Sequence, residues 1–331
     1  MIESVEPFEG TPKTLSKSPF FSSVQGLGAL LLATLALSSC SINRTALQLV
    51  ADAMTGVRSS TVFTGDDDPE LVGDSLPLLI KTFELMREQL PDHEGLNLQT
   101  GSLEVMYANA FVQGPAEMLP SNQFDRKRTQ LDRARKLYLR ADRVLKAELE
   151  YKFPGLAASW ASGSSGPLLS KAKKGDVPLF YWESAAVMSA LALSPTDVNL
   201  SVRVKEVTVL MARAYELDPD FDDGTLDEFY IAFYGSLPPG LGGDKALAKG
   251  HFDAAVKKTG GTSAGPYLAY AQAVSLPNQD YPEFKRLLQA ALAISVDVAP
   301  AHRLVNILAQ RKAAWLLAQK DDLFIDTGEA P

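Results

Sequence analysis

The chain has 331 residues, of which 46% are hydrophobic and 22% charged, and its net charge is −8 at pH 7. This acidic balance disfavours nonspecific binding to nucleic acid, which requires clustered Lys and Arg. The single cysteine excludes an internal disulfide framework and a thiolate zinc cluster, so apolar burial has to stabilise the fold.

The first predicted element is a lipoprotein signal peptide over residues 1–39. Two lysines precede an apolar stretch from Leu27 to Leu37, which is shorter than the roughly 20 residues that a membrane-spanning helix needs. Small residues then lead to Cys40, in the pattern of a lipobox. We therefore predict cleavage before Cys40 and attachment of lipid to it. The alternative is that Cys40 is an inert, buried residue of a core helix.

Residues 40–331 are predicted to form a single helical-repeat domain that follows a flexible, lipid-anchored N-terminal segment. Several acyl chains would hold it, because each buried methylene contributes roughly 0.8 kcal/mol. The expected location is the bacterial envelope, facing the periplasm. Ser41 after the cysteine is compatible with the outer membrane, but the choice between the inner and outer membrane stays open.

Nearly every segment after Cys40 places apolar residues at helical spacing, and none alternates as a strand would. The sequence therefore predicts an all-α protein. Two stripes show the spacing clearly: Leu131, Ala134, Tyr138, Ala141 and Leu145, and then Leu200, Val204, Val207, Met211 and Ala214.

Capping residues predict where three helices start. The starts are Asp68 before Pro69, Ser194 with Pro195 and Asp197 of a capping box, and Asp280 with Glu283.

A recurring spacing indicates helical hairpins. An apolar or small residue is followed four positions later by a bulky one and three later by a small or flexible one, and a proline or glycine often ends the helix. The matching sets are Leu79, Phe83 and Met86; Ala134, Tyr138 and Ala141; Val207, Met211 and Ala214; Ala248, Phe252 and Ala255; and Phe284, Leu288 and Ala291. We interpret them as degenerate tetratricopeptide-like repeats. The alternative is that any packed helical hairpin gives this spacing.

The aromatic residues are the candidate ligand-cavity or interface residues. Neighbours on a helix point about 100° apart, so consecutive aromatic residues cannot all face one core. Some must face a groove, a partner or a cavity, although packing between adjacent repeats remains an alternative for each. The candidates are Tyr107, Phe111, Tyr181, Trp182, Tyr230, Phe233 and Tyr234.

The sequence offers no convergent set of reactive groups, so we expect no catalytic residues, no metal site and no cofactor. His93 is expected in a loop, and His251 and His302 on helix surfaces. Asp66 to Asp68 lacks the ligand spacing of a calcium loop. The dense positive face from Arg126 to Lys146 is either solvated or steers an anionic partner.

Four segments resemble one family, TatT, the tetratricopeptide-like lipoproteins associated with tripartite ATP-independent periplasmic (TRAP) transporters. The segments are Ser59 to Leu71 (SSTVFTGDDDPEL), Met106 to Pro115 (MYANAFVQGP), Phe180 to Trp182 (FYW) and Tyr215 to Pro219 (YELDP).

The resemblance implies a subunit that docks a DctP-type periplasmic solute receptor, called TatP in this setting. It also implies a homotrimer, a compact superhelical array with a central cavity or tunnel in each subunit, and a small hydrophobic or amphipathic carboxylic acid as ligand. The alternative function is a repeat lipoprotein that scaffolds envelope or outer-membrane protein assembly.

Overall fold

The computed structural model describes residues 44–56 and 61–328, and these residues contain helices and no strand. The prediction of an all-α protein is therefore confirmed for this part of the chain. The chain divides after Leu49, and the residues from Val50 onward form one compact unit. The signal peptide and Cys40 lie outside the described residues, so the predicted cleavage and lipidation stay predictions.

The longer helices follow one another through short connections. They are α1 (Pro69–Gln89), α2 (Glu94–Tyr107), α3 (Phe124–Lys152), α4 (Val177–Ala192), α5 (Val204–Leu217), α6 (Thr225–Ser236), α7 (Lys245–Lys258), α8 (Gly265–Tyr270), α9 (Tyr281–Ala293) and α10 (Arg303–Ala318). Residues 44–55 are also helical, and short helices of one or two turns include Thr61–Thr64, Gly114–Glu117, Leu156–Ser162, Gly166–Leu169, Val198–Ser201 and Lys320–Leu323. Widened π turns continue α2 and α8, over Ala108–Gln113 and Ala271–Ser275.

Two of the three predicted helix starts are confirmed by their capping bonds. The backbone N–H of Leu71 donates to Asp68 Oδ1 at 3.0 Å, and that of Glu283 donates to Asp280 Oδ1 at 3.0 Å. These bonds satisfy amide groups that the first helical turn leaves without partners.

The predicted start at Ser194 is wrong. Asp197 is itself the cap, because its Oδ1 accepts from the backbone N–H of Asn199 at 3.0 Å. The helix that it starts ends at Ser201, and α5 begins only at Val204. Arg203 lies in this break and forms ion pairs with three carboxylates, those of Asp142, Glu183 and Glu206. The largely buried guanidinium of Arg203 is thereby fully paired at the point where the two helices are separated.

The residues of the recurring spacing form the core. All of them are buried except Leu79, which is half-buried. One core cluster runs from α2 to α6 and a second from α6 to α10. Small residues at these positions, such as Ala134 and Ala141, let neighbouring helices approach closely.

Consecutive helices are spatial neighbours through most of the chain, and α10 also contacts α1. Arg311 Nη1 lies 2.5 Å from Glu70 Oε1, and Lys312 Nζ lies 2.8 Å from Glu117 Oε2. The first and last long helices of the unit therefore meet. The superhelical repeat and the central tunnel remain predictions. None of the described helices combines the length and apolar character needed to cross a bilayer.

Candidate functional site

The predicted aromatic residues separate into two groups. Tyr107 and Phe111 form a pair whose ring centroids are 6.1 Å apart, and the guanidinium of Arg133 lies 5.6 Å from the Tyr107 ring. The other five predicted residues belong to a larger set, which we call the aromatic cluster. Its members are Tyr181, Trp182, Tyr215, Phe221, Phe229, Tyr230, Phe233, Tyr234 and His251.

Phe229 joins the two halves of the aromatic cluster. Its ring centroid lies 6.4 Å from that of Tyr181 on α4 and 6.0 Å from that of Phe233 on α6. On the other side of Phe233, Tyr230 and Tyr234 stack at 5.3 Å, one helical turn apart. Sequence reasoning missed Phe229, although its position among other aromatic residues of α6 was a signal that it shared their surroundings.

Burial divides the predicted residues of the cluster by role. Tyr230 and Phe233 are buried and pack within the core, as the alternative interpretation expected. Tyr181, Trp182 and Tyr234 are only half-buried, so part of each side chain is accessible to solvent or to a ligand. These three are therefore the predicted cluster residues whose side chains a ligand can contact.

A buried carboxylate anchors one edge of the aromatic cluster. Asp227 Oδ1 accepts a hydrogen bond from the Tyr215 hydroxyl at 3.0 Å and lies 2.7 Å from His251 Nδ1, while Lys258 Nζ lies 2.7 Å from Oδ2. Burial acts to raise the pKa of Asp227, but the His251 and Lys258 interactions outweigh it and lower that pKa. The group therefore stays ionised and holds three side chains in place.

The expectation that His251 lies on a helix surface is wrong. Its ring stacks on that of Tyr230 at 4.6 Å between centroids, in addition to its contact with Asp227. The helical period placed it on a polar face, but the neighbouring helix α6 covers that face. The three histidines lie apart from one another. Each is close to a different carboxylate: His93 to Asp52, His251 to Asp227, and His302 to Asp223.

The pKa of the next residue, Glu228, is shifted in the opposite direction from that of Asp227. Burial, with a further contribution from the charge of Asp222, raises the pKa of Glu228 to about 7. The α8 backbone approaches it so closely that a Cβ on Gly265 would lie 2.3 Å from a Glu228 carboxyl oxygen. Burial and the nearby charge of Glu228 raise the pKa of Tyr181. A carboxyl group that gains a proton near neutral pH therefore lies beside the half-buried part of the cluster.

A second candidate site is a polar cleft of about 490 Å³ between α1, α2 and α3, which we call the charged cleft. None of the predicted aromatic residues lines it. Its lining residues are Glu84, Arg87, Glu88, Pro91, Glu104, Arg140, Arg143 and Val144. The positive face predicted on α3 supplies two of them, whereas the acidic residues gave no sequence signal, since only folding brings α1 and α2 against α3.

Arg140 lies between two carboxylates of the charged cleft. It forms an ion pair with Glu84 and lies 3.0 Å from Glu104 Oε1. Burial raises the pKa of Glu104 to about 7, against the attraction of Arg140 and with help from the charge of Glu84. For Glu84, Lys81 and Arg140 overcome the effect of burial, and its pKa is lowered. The pKa values of Glu84 and Glu104 are therefore shifted in opposite directions, although both side chains pair with Arg140.

In the described residues, no group of three or more His, Cys, Asp or Glu side chains is arranged to hold a metal ion. The two candidate sites differ in the groups that they present: aromatic surface with a titratable acid in one, and guanidinium groups with a titratable acid in the other.

Comparison with known proteins identifies the family. The family model described as TRAP transporter T-component matches residues 65–324. The chain belongs to this family. It is also 36% identical, over 268 residues, to an uncharacterized protein of Treponema pallidum (strain Nichols), and this similarity covers 80% of the chain and 83% of the relative.

Membership in the T-component family confirms the resemblance found in the sequence. It suggests association with a TRAP transporter and a location in the periplasm or envelope. Both core clusters and both candidate sites lie within residues 65–324, so the match covers the features described above.

Proposed function

We propose that this T-component is a lipid-anchored, periplasm-facing subunit that docks a DctP-type solute receptor and binds or passes a small amphipathic carboxylic acid. The observation that carries the proposal is the family match over residues 65–324. The lipid anchor rests on the lipobox at Cys40. No covalent chemistry is part of the proposal.

The aromatic cluster is the proposed ligand surface. Tyr181, Trp182 and Tyr234 each combine an apolar ring with one polar atom and are half-buried, which suits contact with an apolar tail. Each methylene of that tail taken out of water contributes about 0.8 kcal/mol. Glu228, neutral below about pH 7, can donate a hydrogen bond to the carboxylate of the ligand.

The proposed assembly is a homotrimer that binds the receptor. A stripe of exposed leucines on α1 offers apolar surface for it: Leu71, Leu78 and Leu85 are 59%, 74% and 69% exposed. They are seven residues apart, which is the spacing of a helix–helix seam. Large exposed apolar side chains in a row are typical of an interaction surface.

Purification of the detergent-solubilised lipoprotein from its native membranes, followed by native mass spectrometry, tests the assembly. We expect a trimer that carries a solute receptor. Leu78→Asp should reduce the amount of trimer, or of receptor bound to it, at least tenfold. Leu247→Asp, a matched change on α7 at a position 47% exposed, should leave both unchanged. Recovery of outer-membrane assembly proteins in place of a solute receptor would support the scaffold alternative.

Octanoate binding, measured by calorimetry, tests the ligand surface. Removing the Tyr181 ring should weaken binding about tenfold in Tyr181→Ala, because buried apolar contact is lost. Tyr107→Ala is the matched control, since Tyr107 belongs to the separate aromatic pair. The affinity of this variant for octanoate should equal that of the wild type. Equal losses in both variants would contradict the assignment to the aromatic cluster.

A further inference from the structure

The charged cleft holds guanidinium groups that the protein leaves without acceptors. Arg87 Nε donates to Asn97 Oδ1 at 2.6 Å, and its two terminal nitrogens have no acceptor among the described residues. Arg143 is exposed and makes no hydrogen bond or ion pair within the part of the chain that the structure describes. Both residues line the cleft, so two cationic donor groups border one space.

Neighbouring side chains fix Arg87 in position. Its partner Asn97 is buried and donates from Nδ2 to Glu148 Oε2 at 2.7 Å and to the Pro91 carbonyl at 2.9 Å. The Asn97 carbonyl is thereby oriented toward Arg87. A donor whose orientation is set by a buried network loses little freedom when it binds.

The floor of the cleft contains a buried acid. Glu104 is 1% exposed, and its Oε1 lies near Arg140. Burial, together with a hydrogen bond between the Glu104 and Glu84 side chains, favours the protonated form of Glu104. In its acid form Glu104 can donate one hydrogen bond.

Charge decides which kind of ligand fits. The cleft is lined by three arginines, by Glu84 and Glu88, and by Glu104. When Glu104 carries a proton, the arginines exceed the ionised carboxylates by one, in a protein whose overall charge is negative. Guanidinium groups bind carboxylate and phosphate oxygens in a bidentate geometry. The volume of about 490 Å³ is that of a small-molecule site.

We propose that the charged cleft binds the oxyanion group of a small molecule, a carboxylate or a phosphate, between Arg87 and Arg143. Glu104 on the floor of the cleft then keeps its proton while the oxyanion is bound, and the charged groups that act on Glu104 are Lys81 and Glu84 on α1 and Arg140 on α3. The site is separate from the aromatic cluster and does not rest on the proposed function.

Calorimetry on the detergent-solubilised full chain, with malonate as the probe at pH 6.5 and pH 8.0, tests the proposal. Malonate is mainly doubly ionised at both values, so a tenfold pH effect reports the protein. Because the pKa of Glu104 is about 7, binding should weaken about tenfold at the higher pH. Inorganic phosphate at pH 8.0 is the second probe, and the tighter of the two identifies the oxyanion.

Three variants separate this site from nonspecific attraction. Arg143→Gln should weaken binding about tenfold at both pH values, whereas Arg128→Gln, which removes the same charge near the other end of α3, should change it less than twofold. Glu104→Gln keeps a donor but cannot ionise, so binding should persist and lose its pH dependence. The proposal would be overturned if neither malonate nor phosphate bound at millimolar concentration. Equal effects of the two arginine variants would also overturn it.

Discussion

The charged cleft and the aromatic cluster each contain two carboxylates whose pKa values are pushed apart, but by different means. In the cleft, Glu84 and Glu104 share Arg140, and the more buried acid takes up a proton near neutral pH. In the cluster, Asp227 and Glu228 are neighbours in sequence but have different surroundings. Because they point about 100° apart on α6, one meets His251 and Lys258 while the other meets the α8 backbone.

The comparison teaches that burial alone does not decide whether an acid is ionised. Asp227 is fully buried and stays charged, because a cation and two further side chains surround it. Glu228 is half-buried as a residue, but burial of its carboxyl group, together with the charge of Asp222, holds it toward the neutral form. Burial raises the pKa of both acids, and only Asp227 has partners that offset it.

The largest expected effect tests the structural acid. Asp227→Ala removes the buried ion-pair partner of Lys258 and the acceptor of the Tyr215 hydroxyl, so we expect a loss of about 3–5 kcal/mol in the free energy of unfolding, measured with urea. Asp220→Ala is the control, since Asp220 is exposed and 3.4 Å from the same lysine, and it should change stability little. Similar losses in both variants would refute the distinction.

A smaller effect concerns the pH dependence of the cleft. The folded-state pKa of Glu104 is about 7 and lies above the ordinary value of 4.5, so the unfolded chain releases this proton first. The contribution of this group to the free energy of unfolding is therefore present at low pH and is lost as pH rises from about 4.5 to 7, by about 3 kcal/mol. Glu104→Gln should remove that slope.

Urea unfolding at pH 5 and pH 8 measures this pH dependence, and Glu88→Gln on the exposed rim of the cleft should keep the wild-type slope. An unchanged slope in Glu104→Gln would contradict the assigned pKa.

The smallest expected effect probes the close approach of α8 to Glu228. In Gly265→Ala the new Cβ would meet the carboxyl group at 2.3 Å, so we expect a loss of about 1 kcal/mol. Gly250→Ala on α7 meets nothing within 4 Å and should instead stabilise the helix slightly, by about 0.5–1 kcal/mol. Differential scanning calorimetry compares the two variants, and a stabilised Gly265→Ala would show that Glu228 lies elsewhere.

Sequence patterns predicted the candidate site only in part. They selected five members of the aromatic cluster, because runs such as Tyr181 and Trp182 cannot all face one core. They also grouped Tyr107 and Phe111 with these residues, although the structure places those two in a separate pair. The charged cleft was missed, because Glu84, Glu104 and Arg140 are far apart in the chain and resemble ordinary helix-surface charges.

The sequence by itself determined the helical class, two helix starts and most residues of the core, because helical periodicity and capping depend on neighbours within a few positions. Asp68 and Asp280 cap helices through local hydrogen bonds, and the small residues of the recurring spacing are buried. Only the tertiary structure decided which helix covers His251 and which acids lose or keep their protons. Burial and charge at those groups come from residues distant in the chain, and no local pattern encodes those distances.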